Sequence, residues 1–143
     1  MLLSQIFALV KACPSGRVTT YSWLAKTLGY PRGARMAGWM MNEAFAGIPA
    51  QRVLNSKGEL TGSWAFGHPQ KMRLILEAEG IDFAPDGHVD LKRYGWDPQT
   101  ALTPTALSEL LQDASSLQVT VSPRLLHLLR TDPASPLRKN TTS

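Results

Sequence analysis

The chain has 143 residues, of which 43% are hydrophobic and 18% charged, and its formal net charge is +4. This length fits one domain with an appendage. A single cysteine excludes an internal disulfide, no Cys/His cluster has metal-ligand spacing, and no apolar run approaches the roughly 18 residues of a membrane span. The first residues lack a basic leader and a cleavage site, so we expect no signal peptide and a cytoplasmic location, nucleoid-associated in a bacterium.

The positive charge is concentrated in the first part of the chain. Residues 1–57 contain seven Lys and Arg against one acidic residue, Glu43, for a net charge of +6. Residues 58–97 contain four basic and seven acidic residues, for a net charge of −3. A basic segment favours a polyanionic partner, usually nucleic acid, although a solubilising surface would give the same pattern.

Two helices are predicted before residue 30. The apolar residues of segment 3–13 recur with helical spacing, and a Pro-Ser-Gly turn follows them. Thr20 is a candidate N-cap for a second helix from Tyr21 to Leu28. Gly29 is placed to end that helix.

A third helix is predicted from about Arg32 to Phe45. Met36, Met40 and Ala44 form its buried stripe, whereas Arg35 lies on another face. A four-residue Gly-Tyr-Pro-Arg turn connects it to the second helix. Two helices joined in this way have the outline of a helix-turn-helix.

Short hairpins and one helix complete the predicted domain. RVLN-SKG-ELTG is predicted to form a hairpin in the position of a wing, and IDF-APDG-HVDL a second hairpin that turns at Asp86-Gly87. Between them a helix is predicted from about Pro69 to Glu79, ended by Gly80. The expected fold class is mainly α with small β-hairpins, arranged as a winged helix-turn-helix.

The composition changes after Gln99. Half of the ten prolines lie in residues 98–143, among many Ser and Thr. We therefore expect residues 1–98 to form the domain, with the ordered part ending near Tyr94–Pro98, and residues 99–143 to form a C-terminal extension of unknown role, disordered in part. Within the extension, TALSELLQDASSL and SPRLLHLLR each have the pattern of a short amphipathic helix.

A family resemblance is carried by three stretches of the sequence. In chain order they are PSGRVTTYSWLAKTLGYPRGARMAG, IPAQRVLNSKGELTG and LILEAEGI. Together they resemble the DNA-binding domain of the O6-alkylguanine-DNA alkyltransferase family, over about residues 3–98. The resemblance implies that Ala50 and Gln51 replace the Cys and His of the family's P-C-H-R motif, while Glu79 of the catalytic relay is retained. A methyl group is not a nucleophile, and an amide does not take a proton near pH 7. The chain is therefore similar to the alkyltransferase-like proteins, the non-enzymatic branch of the family.

The resemblance also implies a function. It implies a sensor that binds duplex DNA carrying O6-alkylguanine through the minor groove and flips the base into a pocket. The lesion would be flagged for nucleotide excision repair without alkyl transfer, so the implied partners are this DNA and nucleotide excision repair proteins. We expect a monomer with no cofactor, no metal and no membrane contact.

The resemblance assigns two sets of site residues. The expected DNA-binding residues are Tyr21, Arg35, Gly38, Ala34, Thr20, Arg32, Ser56 and Lys57. The expected lesion pocket consists of Pro49, Ala50, Gln51, Val53, Asn55, Ser63 and Glu79. Arg35 is implied to fill the gap left in the base stack and Tyr21 to promote rotation of the nucleotide, whereas Arg52 is expected to hold the turn in shape. Because Ala50 leaves more room than Cys or Trp, we expect bulky adducts to be tolerated.

Other functions fit the same residues. One is an active alkyltransferase that uses another residue, with Cys13 as the candidate, although Cys13 completes an apolar stripe and has no base beside it in sequence. Another is a helix-turn-helix transcription regulator that reads the major groove. In a third, the extension mediates assembly and DNA binding is incidental. The three histidines, His68, His88 and His127, are expected to be surface residues without converging partners.

Overall fold

A computed structural model describes residues 2–44, 47–61, 70–115 and 121–132 of the protein. Within these ranges the chain is mostly helical with a small two-stranded sheet, which confirms the predicted fold class. The elements in chain order are α1 (Leu2–Ala12), β1 (Thr19–Thr20), α2 (Tyr21–Thr27), α3 (Ala34–Met41), a 3₁₀ turn (Ala50–Arg52), β2 (Val53–Leu54), α4 (Lys71–Ala78), α5 (Leu91–Tyr94), α6 (Pro98–Ala101), α7 (Pro104–Ser115) and α8 (Pro123–Thr131).

The first two helices follow the sequence signals closely. α1 runs one residue ahead of its prediction and buries Leu3, Ile6 and Val10 along one side. At the start of α2 the Thr20 side chain accepts a hydrogen bond from the Trp23 backbone N–H at 3.0 Å, as expected of an N-cap.

The helix α3 is shorter than predicted, and the preceding turn is correspondingly longer. The Gly33 N–H donates to the Tyr30 carbonyl at 2.9 Å, which closes a turn, so the helix begins only at Ala34 and not at Arg32. The Glu43 and Ala44 backbone amides bond three residues back, a turn geometry in which an α-helix ends. The helix-turn-helix outline itself is confirmed, since α2 and α3 are in direct contact.

The predicted wing hairpin is wrong in its pairing. Strand β2 pairs in parallel with β1, with Thr19 opposite Val53, and across the Ser-Lys-Gly turn the Asn55 N–H donates to the Glu59 carbonyl at 3.2 Å. Parallel pairing between segments far apart in sequence has no local signature. It fixes the residues just before β2 against the start of α2.

The turn after β2 is nevertheless tightly built. The Asn55 side-chain oxygen accepts hydrogen bonds from the backbone N–H groups of Lys57 and Glu59, at 3.0 and 2.9 Å. Gly58 has φ +81°, and a Cβ at that position would lie 2.2 Å from the Val89 carbonyl oxygen. Only glycine fits such a site, so this turn is seated on the loop around Val89.

The next two predicted elements are confirmed with adjusted bounds. α4 occupies Lys71–Ala78 of the predicted Pro69–Glu79, and Gly80 follows it with φ +96°. The second hairpin consists of one antiparallel bridge, Phe83 opposite Val89.

The chain beyond Pro98 is not the tail that its composition suggests. The two amphipathic segments form α7 and α8, as predicted, and these helices contact α1 and α3 respectively. Leu125 and Leu129 of α8 are buried in the same cluster as Met36 and Met40. The expected end of order near Tyr94–Pro98 is therefore wrong, because the apolar stripes of both helices complete the core. The remainder of the extension, residues 116–120 and 133–143, lies outside the described residues.

Two hydrophobic clusters support the molecule. The first joins α1, α2, α3 and α8, and the second is built by Val18, Leu54, Met72, Leu76, Ile81, Val89 and Tyr94. Among the described helices, none is both long and apolar enough to cross a membrane. The start of β2 lies between the two clusters, since Val53 belongs to the first and Leu54 to the second.

Candidate nucleic-acid interface

The segment Pro49-Ala50-Gln51-Arg52, with Glu79 beside it, is called the pocket wall below. Its last three residues form a 3₁₀ turn that leads directly into β2 and contacts α4. The Arg52 N–H donates to the Pro49 carbonyl at 3.0 Å, which closes the turn. Glu79 is the C-cap of α4 and so is presented to this turn by a helix end.

Glu79 joins the wall through its carboxylate. Arg52 donates from Nε to Oε1 at 2.9 Å and from Nη2 to Oε2 at 3.1 Å, a bidentate ion pair. Gln51 donates from Nε2 to Oε2 at 2.8 Å. A third Arg52 nitrogen, Nη1, donates to the Cys13 carbonyl at 2.8 Å. The expected role of Arg52 in holding the turn is confirmed.

The environment of Glu79 keeps it ionised. Burial by itself would raise the pKa of this carboxyl, but the hydrogen bonds from Arg52 and Gln51 and the Arg52 charge outweigh burial and lower the pKa below its ordinary value. The Gly16 backbone N–H adds a further hydrogen bond. Glu79 is thus a fixed anion that orients Gln51 and Arg52, and the Gln51 amide nitrogen is already engaged inside the protein.

The remaining predicted pocket residues are distributed around this wall. Pro49 and Ala50 are half-buried, and Ala50 packs against the first hydrophobic cluster. Val53 is buried within β2, and the Asn55 side chain is used by its own turn. Ser63 lies outside the described residues. As lesion contacts, all of these stay predictions.

The outer face of α3 differs from the pocket wall in making few contacts within the protein. Arg35 is exposed in the first turn of the helix, and in the described ranges it forms no ion pair. Gly38 follows one turn later, and a Cβ added there would meet no atom within 4 Å. The protein's own packing therefore does not require glycine at this position, and Ala34 is half-buried beside these residues.

The other expected DNA contacts fall into two groups. Arg32, Ser56 and Lys57 are exposed at turns, where they are free to meet an external group. Thr20 and Tyr21 instead take part in the fold: Thr20 is buried as the cap of α2. Tyr21 is half-buried against the first cluster; burial raises the pKa of its hydroxyl against the opposing effect of a hydrogen bond with Thr61.

Cys13 and the histidines complete the inventory of reactive groups. Cys13 is fully buried, and burial raises the pKa of its thiol to about 12 despite the nearby Arg52 charge, so the reactive thiolate is not populated near pH 7. His88 was expected to lack partners, and this is wrong: its Nδ1 lies 2.8 Å from Asp86 Oδ2 and its Nε2 lies 3.5 Å from Glu59 Oε2. His127 is exposed, and His68 lies outside the described residues. The described ranges contain no group of three side chains suited to a metal.

The whole arrangement, from α1 through the pocket wall to the end of α4, falls within one match to a known family. Residues 2–81 match the family described as 6-O-methylguanine DNA methyltransferase, DNA binding domain. The chain belongs to this methyltransferase DNA-binding family. The sequence resemblance is thereby confirmed, and α7 and α8 lie beyond the matched residues.

Relatives in this family carry informative names. A "DNA base-flipping protein" of Vibrio parahaemolyticus is 39% identical over 98 residues, which cover 67% of this chain and 96% of the relative. A protein of the same name from Escherichia coli is 38% identical over 97 residues, covering 65% of this chain and 72% of the relative. The crystal structure of Schizosaccharomyces pombe Atl1 in complex with damaged DNA containing O6-carboxymethylguanine matches with a TM-score of 0.60 and 28% identity, over 68% of this chain and 95% of Atl1.

Sequence reasoning missed part of the wall. It retained Glu79 as a remnant of the catalytic relay but did not foresee that Gln51 and Arg52 both bind it, or that Arg52 reaches the Cys13 carbonyl. The available signal was an amide and an arginine in one family-like stretch and a carboxylate in another. Their pairing across 27 and 28 positions became visible only in the structure.

Proposed function

We propose that this chain is a DNA-lesion sensor that binds O6-alkylguanine in duplex DNA through the minor groove, flips the base into a pocket beside Ala50, and holds it without alkyl transfer. The observation that carries the proposal is an intact pocket wall with no nucleophile. Gln51, Arg52 and Glu79 are hydrogen-bonded as one unit, and Ala50 stands where the family resemblance places the catalytic Cys. A site kept for chemistry would not retain this frame around a methyl group.

The comparisons support recognition by base flipping. Two relatives that are 39% and 38% identical to this chain over the aligned residues are named DNA base-flipping proteins. Atl1, which shares the fold, has been crystallised with DNA that contains an O6-alkylated guanine. We extend binding of this lesion class to the present chain.

The outer face of α3 supplies the residues for extrusion. Arg35 projects from the first turn and has a planar guanidinium that can stack on neighbouring bases and bond to the unpaired one. Filling the vacated position helps offset an unstacking cost of a few kcal/mol. Gly38 removes the side chain that would keep the helix from the groove floor, and Tyr21, on the adjoining helix, meets the phosphate beside the target.

Ala50 determines what the pocket accepts. Since the alkyl group would lie where the missing sulfur stood, a methyl side chain leaves space for longer O6-alkyl groups. The useful product of such a protein is a persistent, distorted complex that nucleotide excision repair proteins can detect. A longer O6-alkyl group that binds much more weakly than O6-methyl would contradict this account of the pocket.

The test of the proposal is a titration at fixed salt concentration. Duplexes with one O6-methylguanine, one O6-carboxymethylguanine, or guanine at the same position would be titrated with the full chain. We expect both lesions to bind at least tenfold more tightly than guanine, which corresponds to about 1.4 kcal/mol. Equal affinities would sink the proposal, and a strong preference for one undamaged sequence would favour a transcription regulator instead.

The absence of alkyl transfer is tested with DNA radiolabelled on the O6-methyl group. We expect no label on the wild-type chain, because Ala50 has no nucleophile and Cys13 is buried. The matched positive variant is Ala50→Cys with Gln51→His, which restores a thiol and a base beside Glu79. Transfer by that variant with none by the wild type agrees with the proposal. Transfer to the wild-type chain contradicts it.

A further inference from the structure

α8 is held against α3 by apolar and polar contacts. Leu125 and Leu129 are 2% and 5% exposed, within the cluster that contains the buried side of α3. The Ser122 hydroxyl caps α8 by accepting a hydrogen bond from the Leu125 N–H at 3.1 Å and also donates to the Glu43 carboxylate, just after α3 ends. α8 is therefore a fixed neighbour of the helix proposed to enter DNA.

The exposed side of α8 is basic. Arg124, His127 and Arg130 follow one another at intervals of three residues, which places them on one face of the helix, opposite the buried leucines. Residues 123–131 include no acidic side chain. In the part of the chain that the structure describes, neither arginine forms an ion pair.

The helix dipole does not explain why both arginines lie on α8. Arg130 lies in the last turn, where a cation interacts favourably with the helix dipole. Arg124 lies in the first turn, where the same dipole disfavours a cation. The dipole therefore gives no reason for a cation at Arg124, which is exposed to external anions.

We propose that the basic face of α8 binds phosphates of the duplex beside the groove that receives α3; this inference rests on the proposed function. The minor groove of B-DNA is about 6 Å wide, whereas a helix with its side chains is about 10–12 Å across. The Ser122–Glu43 hydrogen bond holds the first turn of α8, which carries Arg124, at the end of α3, and there it would meet the phosphate strands that border the groove. Helices in contact have axes about 8–10 Å apart, comparable to the Debye length in physiological salt.

This surface is separate from the part of the chain shared with the family. α8 begins at Pro123, well beyond the matched residues 2–81. The two arginines would add affinity that depends on salt and not on the lesion, since phosphate contacts carry no base information. They would lengthen the time that the sensor stays on DNA while it searches.

The experiment measures duplex affinity over a series of salt concentrations. The variant Arg124→Ala/Arg130→Ala is compared with the wild-type chain and with Lys71→Ala/Lys92→Ala, which removes the same charge from α4 and α5, helices packed in the second cluster. Each phosphate contact contributes about 0.9 to the slope of log K against log salt concentration. We expect the slope to fall by about 1.8 in the α8 variant, with the ratio of lesion to guanine affinity unchanged.

A second variant separates charge from fold. Arg124→Lys/Arg130→Lys should retain most of the slope, because a phosphate contact needs only a point charge. An unchanged slope in the alanine variant, or an equal fall in the α4 and α5 control, overturns the inference. The slope is measured on undamaged duplex as well, so a wild-type chain that binds duplex without preferring the lesion overturns the proposed function and still tests α8. A wild-type chain that binds no duplex overturns both.

Discussion

The pocket wall and the outer face of α3 differ in how much of their chemistry is used inside the protein. In the wall, Arg52 donates to Glu79 and to the Cys13 carbonyl, and Gln51 donates to the same carboxylate. On α3, Arg35 is exposed and Gly38 faces open space. The polar groups of the wall are used in folding, whereas the described structure gives Arg35 and the missing side chain of Gly38 no role in folding. Substitutions in the wall should therefore change stability, and substitutions on α3 should change affinity.

The largest expected effect is a loss of stability when Arg52 of the pocket wall is replaced. Arg52→Ala removes one partner of an ion pair whose side chains are 16% and 12% exposed. Glu79 then loses both of its Arg52 donors and keeps Gln51, and the Cys13 carbonyl loses its Arg52 donor. Breaking one partner of a buried pair destabilises by roughly 3 kcal/mol at the low end of measured cases. Urea unfolding monitored by tryptophan fluorescence would measure the loss.

The control for this prediction is an exposed ion pair on α4. Arg73 lies 3.8 Å from Glu77, and these side chains are 40% and 44% exposed. Arg73→Ala should change stability by about 1 kcal/mol or less, including its contact with the Phe83 ring. If Arg52→Ala is no more destabilising than Arg73→Ala, the wall is not the structural unit described above.

The second prediction concerns Arg35. Arg35→Ala should weaken lesion binding by tenfold or more, about 1.4 kcal/mol, while the free energy of unfolding changes by less than about 0.5 kcal/mol. Arg35→Lys keeps the charge but loses the planar group that stacks, so it should restore little of the affinity. Full restoration by lysine would indicate a phosphate contact and would remove the stacking role.

Tyr21 gives a less clean test than Arg35 because it also belongs to the core. It packs against the first cluster and its hydroxyl bonds Thr61, so Tyr21→Ala mixes packing loss with any loss of phosphate contact. Tyr21→Phe keeps the ring and removes only the hydroxyl. Comparison of these variants shows whether the hydroxyl or the ring contributes to binding.

The third prediction concerns Gly38, where one substitution should raise stability and lower DNA affinity. Gly38 lies in the interior of α3, where alanine stabilises a helix by up to about 1 kcal/mol, and an added Cβ meets nothing in the protein. Gly38→Ala should therefore raise the melting temperature and lower the affinity for lesion duplex several-fold. A variant that is more stable and binds equally well would show that α3 does not approach the groove floor at this residue.

The same contrast shows what sequence can predict. Local signals were sufficient for α2, because Thr20 caps it and a glycine ends it. They failed for β2, since its partner strand lies 34 positions away, with Thr19 opposite Val53, and no local pattern encodes that pairing. They predicted α8 as an amphipathic helix but not its place in the core, because a Pro- and Ser-rich composition suggested that the ordered part ends before it. The same holds for the candidate site. The family motifs were enough to predict which residues belong to it, but their hydrogen bonds could be identified only from the folded structure.

The smallest expected effect is a pH dependence confined to the wall. The pKa of Glu79 is lowered in the folded protein, so the folded state holds its proton less tightly than the unfolded state does. Its contribution to stability is fully present above the unfolded pKa, near 4.5, and is lost as the pH falls through the lower folded value. Urea unfolding of the wild type and Glu79→Gln would be measured from pH 7 to pH 3. The difference between their free energies of unfolding should become smaller below about pH 4.5.

The control for this prediction is Arg35→Ala. Its free energy of unfolding should change with pH as the wild type's does, because no carboxylate pairs with Arg35 in the described ranges. A profile for Glu79→Gln that parallels the wild type would mean that this carboxylate does not hold the wall together.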